Sequence, residues 1–154
     1  MIVLEWLIVI SVLLLVNLSQ RITNMMLVQK VRNTMKQLIN ATKNLTISRD
    51  VDVFEQIAFA YDLGSLNFGN QRQSGTFSIQ YLISPKPDSG NTAPSITYDQ
   101  IISTFDTGKI TAFKEAGLVL LSYSYEQSDI VTDPVTGSVS LSFTINIQVT
   151  EKTR

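Results

Sequence analysis

The chain has 154 residues, with 12 Lys and Arg against 13 Asp and Glu for a formal net charge of −1, and 44% of its residues are hydrophobic. That size and apolar content fit one domain with one membrane segment. Cysteine and histidine are both absent, which excludes disulfides, thiolate nucleophiles, Ser-His-Asp and Cys-His arrangements and the common zinc sites.

The first 20 residues are the hydrophobic part. From Met1 to Val16 the only ionisable side chain is Glu5. A charged carboxylate inside a bilayer costs roughly 2.5–3.5 kcal/mol on insertion scales, so it is tolerated near an interface or beside a partner, and by default it marks a function. The plainer alternative places Glu5 at the headgroup boundary, favoured by the positive end of a helix dipole. Ile2 to Val16 falls short of the roughly 20 residues that cross a bilayer, and Leu18 and Ile22 extend it as a stripe. No Lys or Arg precedes Arg21 and no Ala-x-Ala follows the run, so it reads as retained, not as a cleaved signal peptide.

Residues 21–46 continue as an amphipathic helix. Ile22, Met25, Met26, Val28, Val31, Met35, Leu38 and Ile39 recur at steps of mostly three and four, with Asn, Gln and Lys between them. No Gly or Pro interrupts Met1 to Asn44, which predicts one helix about 65 Å long at 1.5 Å per residue. Between Trp6 and Ser48 every charge is basic, namely Arg21, Lys30, Arg32, Lys36 and Lys43, while the remainder is mainly acidic. Basic residues beyond an apolar segment ordinarily mark its cytoplasmic side, which would put the acidic part inside the cell. They lack the interleaved aromatics of a nucleic-acid surface and read as a solvated helix face that attracts acidic neighbours. Asn40-Ala41-Thr42 and Asn44-Leu45-Thr46 make Asn40 and Asn44 candidate glycosylation sites.

From residue 49 the period changes to two. Phe77, Ile79, Tyr81 and Ile83 alternate with mostly polar residues, and Val139, Leu141, Phe143, Ile145, Ile147 and Val149 alternate with Ser, Thr, Asn and Gln; both read as strands. Leu118 to Tyr125 is a third strand, turned back onto the last one by the stretch Asp129 to Gly137. Val53 to Tyr61 is a fourth strand or a short helix, and Ile96 to Lys114 has no decisive pattern. Pro85 to Ser95 reads as an exposed loop which, with Tyr98, offers a possible ligand contact. Asp50 with Asp52 and Asp129 with Asp133 lack the dense acidic loop that calcium requires and read as solvated charges. No phosphate-binding glycine pattern is present, and neither an enzyme nor a cofactor is expected.

The predicted fold class is α+β, with a long N-terminal helix over residues 1–48 as a membrane or filament-core stem and a head over 49–154. The head is an antiparallel sheet covered by the amphipathic part of the helix, or a free-standing β-sandwich.

The opening Met1-Ile2-Val3-Leu4-Glu5-Trp6-Leu7-Ile8-Val9 resembles the mature N-terminus of type IV pilins, where a processed first residue precedes an apolar helix with Glu at its fifth position. Met1, Leu4-Glu5 and Ser19-Gln20-Arg21 are similar to the type IVb branch, and Glu5-Trp6 to archaeal class III pilins. The missing cysteine pair and the missing helix-breaking Gly or Pro depart from the bacterial pattern and favour an archaeal or unusual bacterial member. The resemblance implies a structural subunit of an extracellular surface filament, used for adhesion or motility and held in the cytoplasmic membrane before assembly. It implies a processed Met1, whose lost leader supplied the cytoplasmic positive charge. It also implies a homo-oligomeric helical filament and, as partners, a processing peptidase and assembly machinery. The assembly residues implied are Met1, Glu5, Trp6, Val9, Val12, Val16, Ile22, Met25 and Met26, with Glu5 meeting the Met1 amine of a neighbour. The alternative is a single-pass membrane-anchored β-domain protein, such as a minor pilin, pseudopilin or filament-motor stator.

Overall fold

A computed structural model describes residues 2–43, 53–68, 70–84, 94–132, 134–135 and 139–152. The elements in chain order are helix α1 (Ile2–Lys43), strands β1 (Val53–Phe68) and β2 (Asn70–Ser84), helix α2 (Pro94–Glu115), and strands β3 (Leu118–Thr132) and β4 (Val139–Glu151). The strands form one antiparallel sheet in the order β1-β2-β4-β3. The last strand in sequence therefore lies inside the sheet.

Alternation in β2 from Phe77 to Ile83 and in β4 from Leu141 to Val149 divides the sheet into two chemically distinct faces. Phe77 lies opposite Ile147, Ile79 opposite Ile145, Tyr81 opposite Phe143 and Ile83 opposite Leu141, and all eight are buried. The opposite face carries Ser78, Gln80, Ser142, Thr144, Asn146 and Gln148. Its side chains bond across strands: Gln80 Nε2 donates to Ser142 Oγ at 3.1 Å and Ser122 Oγ to Gln148 Oε1 at 3.3 Å.

Two helices cover the apolar face. Leu27, Val31, Met35, Leu38 and Ile39 of α1 are buried in the same core as the strand residues, at intervals that form one stripe. From α2, Ile101, Phe105 and Phe113 enter that core, and Tyr98 sets its ring edge against Phe143 with centroids 5.1 Å apart. Arg32 lies over the Phe59 ring of β1 at 4.4 Å, and Lys30 pairs with Glu151 of β4 at 3.3 Å. The basic helix face thus meets an acid of the sheet, in a pair open enough to water to contribute at most about 1 kcal/mol. Helix α2 ends at Ala116-Gly117, where Gly117 adopts φ +74° and its carbonyl accepts from the Lys152 amide at 2.9 Å. A left-handed residue at that point favours glycine.

The predicted fold class requires correction. The long stem expected over 1–48 is not seen as a rod given over to membrane or filament, because residues 26–39 of α1 belong to the head's own core, as the expected covering of the sheet by the amphipathic part requires. The reason is the uncovered apolar face of the sheet, which draws 26–39 into the core and needs a second helix beside it. Residues 98–115, left without assignment by their sequence pattern, are that helix. The sandwich alternative gives way to a single sheet. The expected loop at 85–93 lies outside the described residues, whereas Pro94 and Ser95 already belong to α2.

Packing is tight at two glycines, with opposite consequences. A Cβ on Gly75 would lie 2.8 Å from both Leu63 Cδ2 and Phe77 Cε2, whereas one on Gly108 would meet only the Leu38 Cδ2 methyl at 2.9 Å. Gly75→Val is expected to destabilise by about 1–3 kcal/mol through overpacking. Gly108→Ala is expected to be neutral or stabilising by up to about 1 kcal/mol, since a Leu methyl can rotate away and Ala favours helix. Urea midpoints of the full chain in detergent measure both.

Candidate assembly surface

Ile10 to Ser19 contains seven large aliphatic residues, two serines and one asparagine, and no charge. Every side chain in this stretch is exposed, including Leu14 and Leu15 at 65%. The apolar surface runs around the whole helix and not along one stripe. Its one amide, Asn17, donates from Nδ2 to the Leu13 carbonyl at 2.9 Å, so part of its polarity is satisfied within the helix and the segment is less costly to place in an apolar setting. At roughly 1.5–3 kcal/mol per aliphatic side chain transferred from water, seven of them leave the isolated subunit with a driving force of order 10 kcal/mol toward an apolar environment. Ten residues at 1.5 Å each span about 15 Å, half the hydrocarbon thickness of a bilayer. Among the described residues no helix is long and apolar enough to cross a membrane.

Of the residues expected to act in assembly, Val12 and Val16 lie in this stretch, 54% and 56% exposed, and Met26 is 55% exposed at the edge of the core. Glu5, Trp6, Val9, Ile22 and Met25 belong to the helical backbone of α1, and Met1 lies outside the described residues. Asn40 falls in the last turns of α1, and Asn44 lies outside the described residues. The burial boundary is sharp: Met26 faces outward while Leu27, absent from the expected stripe, is wholly buried. The spacing Leu27, Val31, Thr34, Met35, Leu38 is the signal that identifies the inward face, displaced by one residue from the Met25-Met26 pair.

A polar cluster where α2 meets β3 was not visible in the sequence pattern. Lys109, buried on the inner side of α2, donates from Nζ to the Asp106 carboxylate and to the Asp106 carbonyl at 3.0 Å. The same ammonium sits 4.2 Å above the Tyr123 ring. The Tyr125 hydroxyl donates to Asp106 Oδ1 at 2.6 Å, and the Phe105 ring stands edge-on to Tyr125 at 6.0 Å. Partial burial pushes the Asp106 carboxyl up, but hydrogen bonds from Lys109 and Tyr125 and the lysine charge outweigh it and hold the group below the usual carboxylate range. Burial pulls Lys109 down, and the bonds and charge of Asp106 and Tyr123 reverse this into a net rise. Burial, then the Asp106 hydrogen bond and charge, push the Tyr125 hydroxyl well up. All three groups are committed to one another, so the cluster works as a clamp between α2 and β3.

Because the folded carboxyl of Asp106 titrates lower than the unfolded one, its contribution is fully present above the unfolded value and is lost as pH falls through the folded value. Asp106→Asn is therefore expected to flatten the acid limb of the stability profile. At neutral pH it should cost about 1–3 kcal/mol, less than for a wholly buried pair, because the Asp106 side chain is 43% exposed. Thermal melting between acidic and neutral pH tests both. An unchanged acid limb in the variant would show that the clamp carries no charge-dependent stability.

Among the described residues no three His, Cys, Asp or Glu side chains gather as a metal site. No protein-family model matches the chain, and no curated protein matches it.

Proposed function

We propose that the protein is a structural subunit of an extracellular filament of the type IV pilus kind, joined to its copies through the apolar N-terminal segment of α1. The observation that carries this reading is the fully exposed, charge-free stretch from Ile10 to Ser19. Among the described residues, the core is built without those side chains.

The proposed mechanism is a transfer between two dry environments. The segment rests in the membrane before assembly and then passes into a bundle of identical segments, with little hydrophobic gain between lipid and protein. Register must come from something more specific. With Met1 as the processed first residue, its amine meets Glu5 of the adjacent copy, and each neutralises a charge otherwise stranded among hydrocarbon. Breaking such a buried pair typically costs about 3–5 kcal/mol. The contact joins unlike surfaces and does not close on itself, so it propagates as an open helix. Val12, Val16 and Met26 supply exposed packing surface along the way. Surface attachment or motility is the role that such a filament serves.

Glu5→Ala is expected to leave the head folded and abolish filaments in negatively stained, sheared cell-surface material. Leu14→Lys, which adds roughly 2.5–3.5 kcal/mol of insertion cost at a helix centre, should do the same without changing the melting of the head. Normal filament yield from Glu5→Ala would defeat the pairing. A native N-terminus carrying a leader, read by mass spectrometry, would favour a membrane-anchored β-domain protein instead.

A further inference from the structure

We propose that neighbouring copies also join edge to edge through their sheets, β1 of one copy against β3 of the next, over a five-row window that the fold leaves regular and open. Five cross-strand rows run unbroken through all four strands. They are Ala58-Gln80-Thr144-Glu126, Phe59-Ile79-Ile145-Tyr125, Ala60-Ser78-Asn146-Ser124, Tyr61-Phe77-Ile147-Tyr123 and Asp62-Thr76-Gln148-Ser122. Bulges bound the window at Gln56/Ala58 in β1 and at Leu120/Ser122 and Gln127/Ile130 in β3. Bulges commonly protect edges from promiscuous pairing, and here they leave matching stretches of β1 and β3 free of distortion.

Strand direction and hydrogen-bond phase both permit the junction. With four antiparallel strands, β1 and β3 run in opposite directions, so a copy displaced sideways sets its β1 antiparallel to β3 and keeps its helices on the same face. In each row the hydrogen-bonded and non-hydrogen-bonded pairs alternate from strand to strand. After four strands, a row whose β1 residue points its N–H and C=O outward also ends on a β3 residue that points outward. The two edges are therefore in phase row for row.

Side chains match as well. On the helix side, the β1 edge ends in Phe59 and Tyr61, 6.2 Å apart, with the Arg32 guanidinium over Phe59. The β3 edge ends in the same two rows with Tyr125 and Tyr123, 5.7 Å apart, with the Asp106 carboxylate on Tyr125. Tyr61 and Tyr123 are 52% and 45% exposed, so both edges carry an aromatic that the helices leave uncovered. Joining the copies stacks aromatic against aromatic and brings an exposed cation toward a partly exposed carboxylate. Glu126 would face Ala58 and Asp62 would face Ser122, so no like charges oppose one another. The contact is again between unlike surfaces and adds head-to-head cohesion independent of Glu5.

The chain has no native cysteine, so a disulfide can report the contact directly. Ala60→Cys and Ser124→Cys alter exposed ends of one row on the polar face. In the full-length protein in detergent, the double variant is expected to give an oxidative ladder of dimers, trimers and longer species on non-reducing gels. Each single variant should stay monomeric, and an equal mixture of the two singles should stop at dimers. Arg32→Glu in the double variant is expected to lower ladder yield several-fold with an unchanged circular dichroism melt, and Arg32→Lys to retain it. A monomeric double variant that melts normally, or single variants that dimerise as well as the mixture, would overturn the proposal. A ladder that persists in Glu5→Ala protein lacking filaments upholds this contact while removing the N-terminal pairing, so the two readings fail separately.

Discussion

The constraint on which the rest of the structure depends is the burial of one face of β2 and β4. Eight facing side chains, from Phe77 to Ile83 and from Leu141 to Ile147, are withdrawn from water. At roughly 1.5–3 kcal/mol for each large apolar side chain, leaving that face wet would exceed the whole net stability of a typical domain. A cover is obligatory, and one helix of about 10 Å diameter is too narrow for four strands spaced about 4.8 Å apart. Two helices side by side meet the need. Residues 26–39 of α1 lie toward β1, where Arg32 reaches Phe59, and α2 lies toward β3, where Asp106 reaches Tyr125.

That arrangement explains why α1 is one helix with two behaviours. Its inward stripe from Leu27 to Ile39 is spent on the head, whereas the exposed stretch Ile10 to Ser19 contributes nothing to the core formed by the described residues. The functional reading follows from this asymmetry. Under the proposed function, that run takes its environment from lipid or from other copies. The sheet has a similar imbalance at its borders, since two helices cover the central strands well and leave the outer aromatics of β1 and β3 half open.

The sequence was most legible where a side chain's fate depends on its own element. β4 alternates from Leu141 to Val149 because one face is buried over that stretch, and β2 does so from Phe77 to Ile83. β1 was ambiguous because an edge strand is only partly covered: Ile57 and Tyr61 remain exposed, and Glu55, Gln56 and Asp62 interrupt its apolar run. α2 was missed for a different reason. Its inner face includes Lys109, and Ser, Thr and Gly108 weaken its helix propensity, while Ile101, Phe105 and Phe113 still hold a helical spacing. What buries Lys109 is its arrangement with Asp106, Tyr123 and Tyr125, which no local pattern predicts. The stem was overestimated because a helix free of Gly and Pro reads as one continuous rod, whereas its amphipathic half, expected to cover the sheet, is part of the head's core.

The interior position of β4 sets the order in which this chain can fold. β1 and β2 can close as a hairpin early, but β2 finds its other neighbour only when Val139–Glu151 arrives, more than fifty residues after β2 ends. Until then the hairpin's aromatic side has no central strand beside it, and β3 lacks the β4 strand it pairs with. Pairing of this kind waits on loop closure and is slow compared with helix formation. The sheet therefore cannot be completed until Val139–Glu151 is free to enter between β2 and β3. A chain interrupted before β4 would keep the β1-β2 hairpin but leave β2 and β3 with facing edges that nothing joins, so one strand holds the two halves of the sheet together.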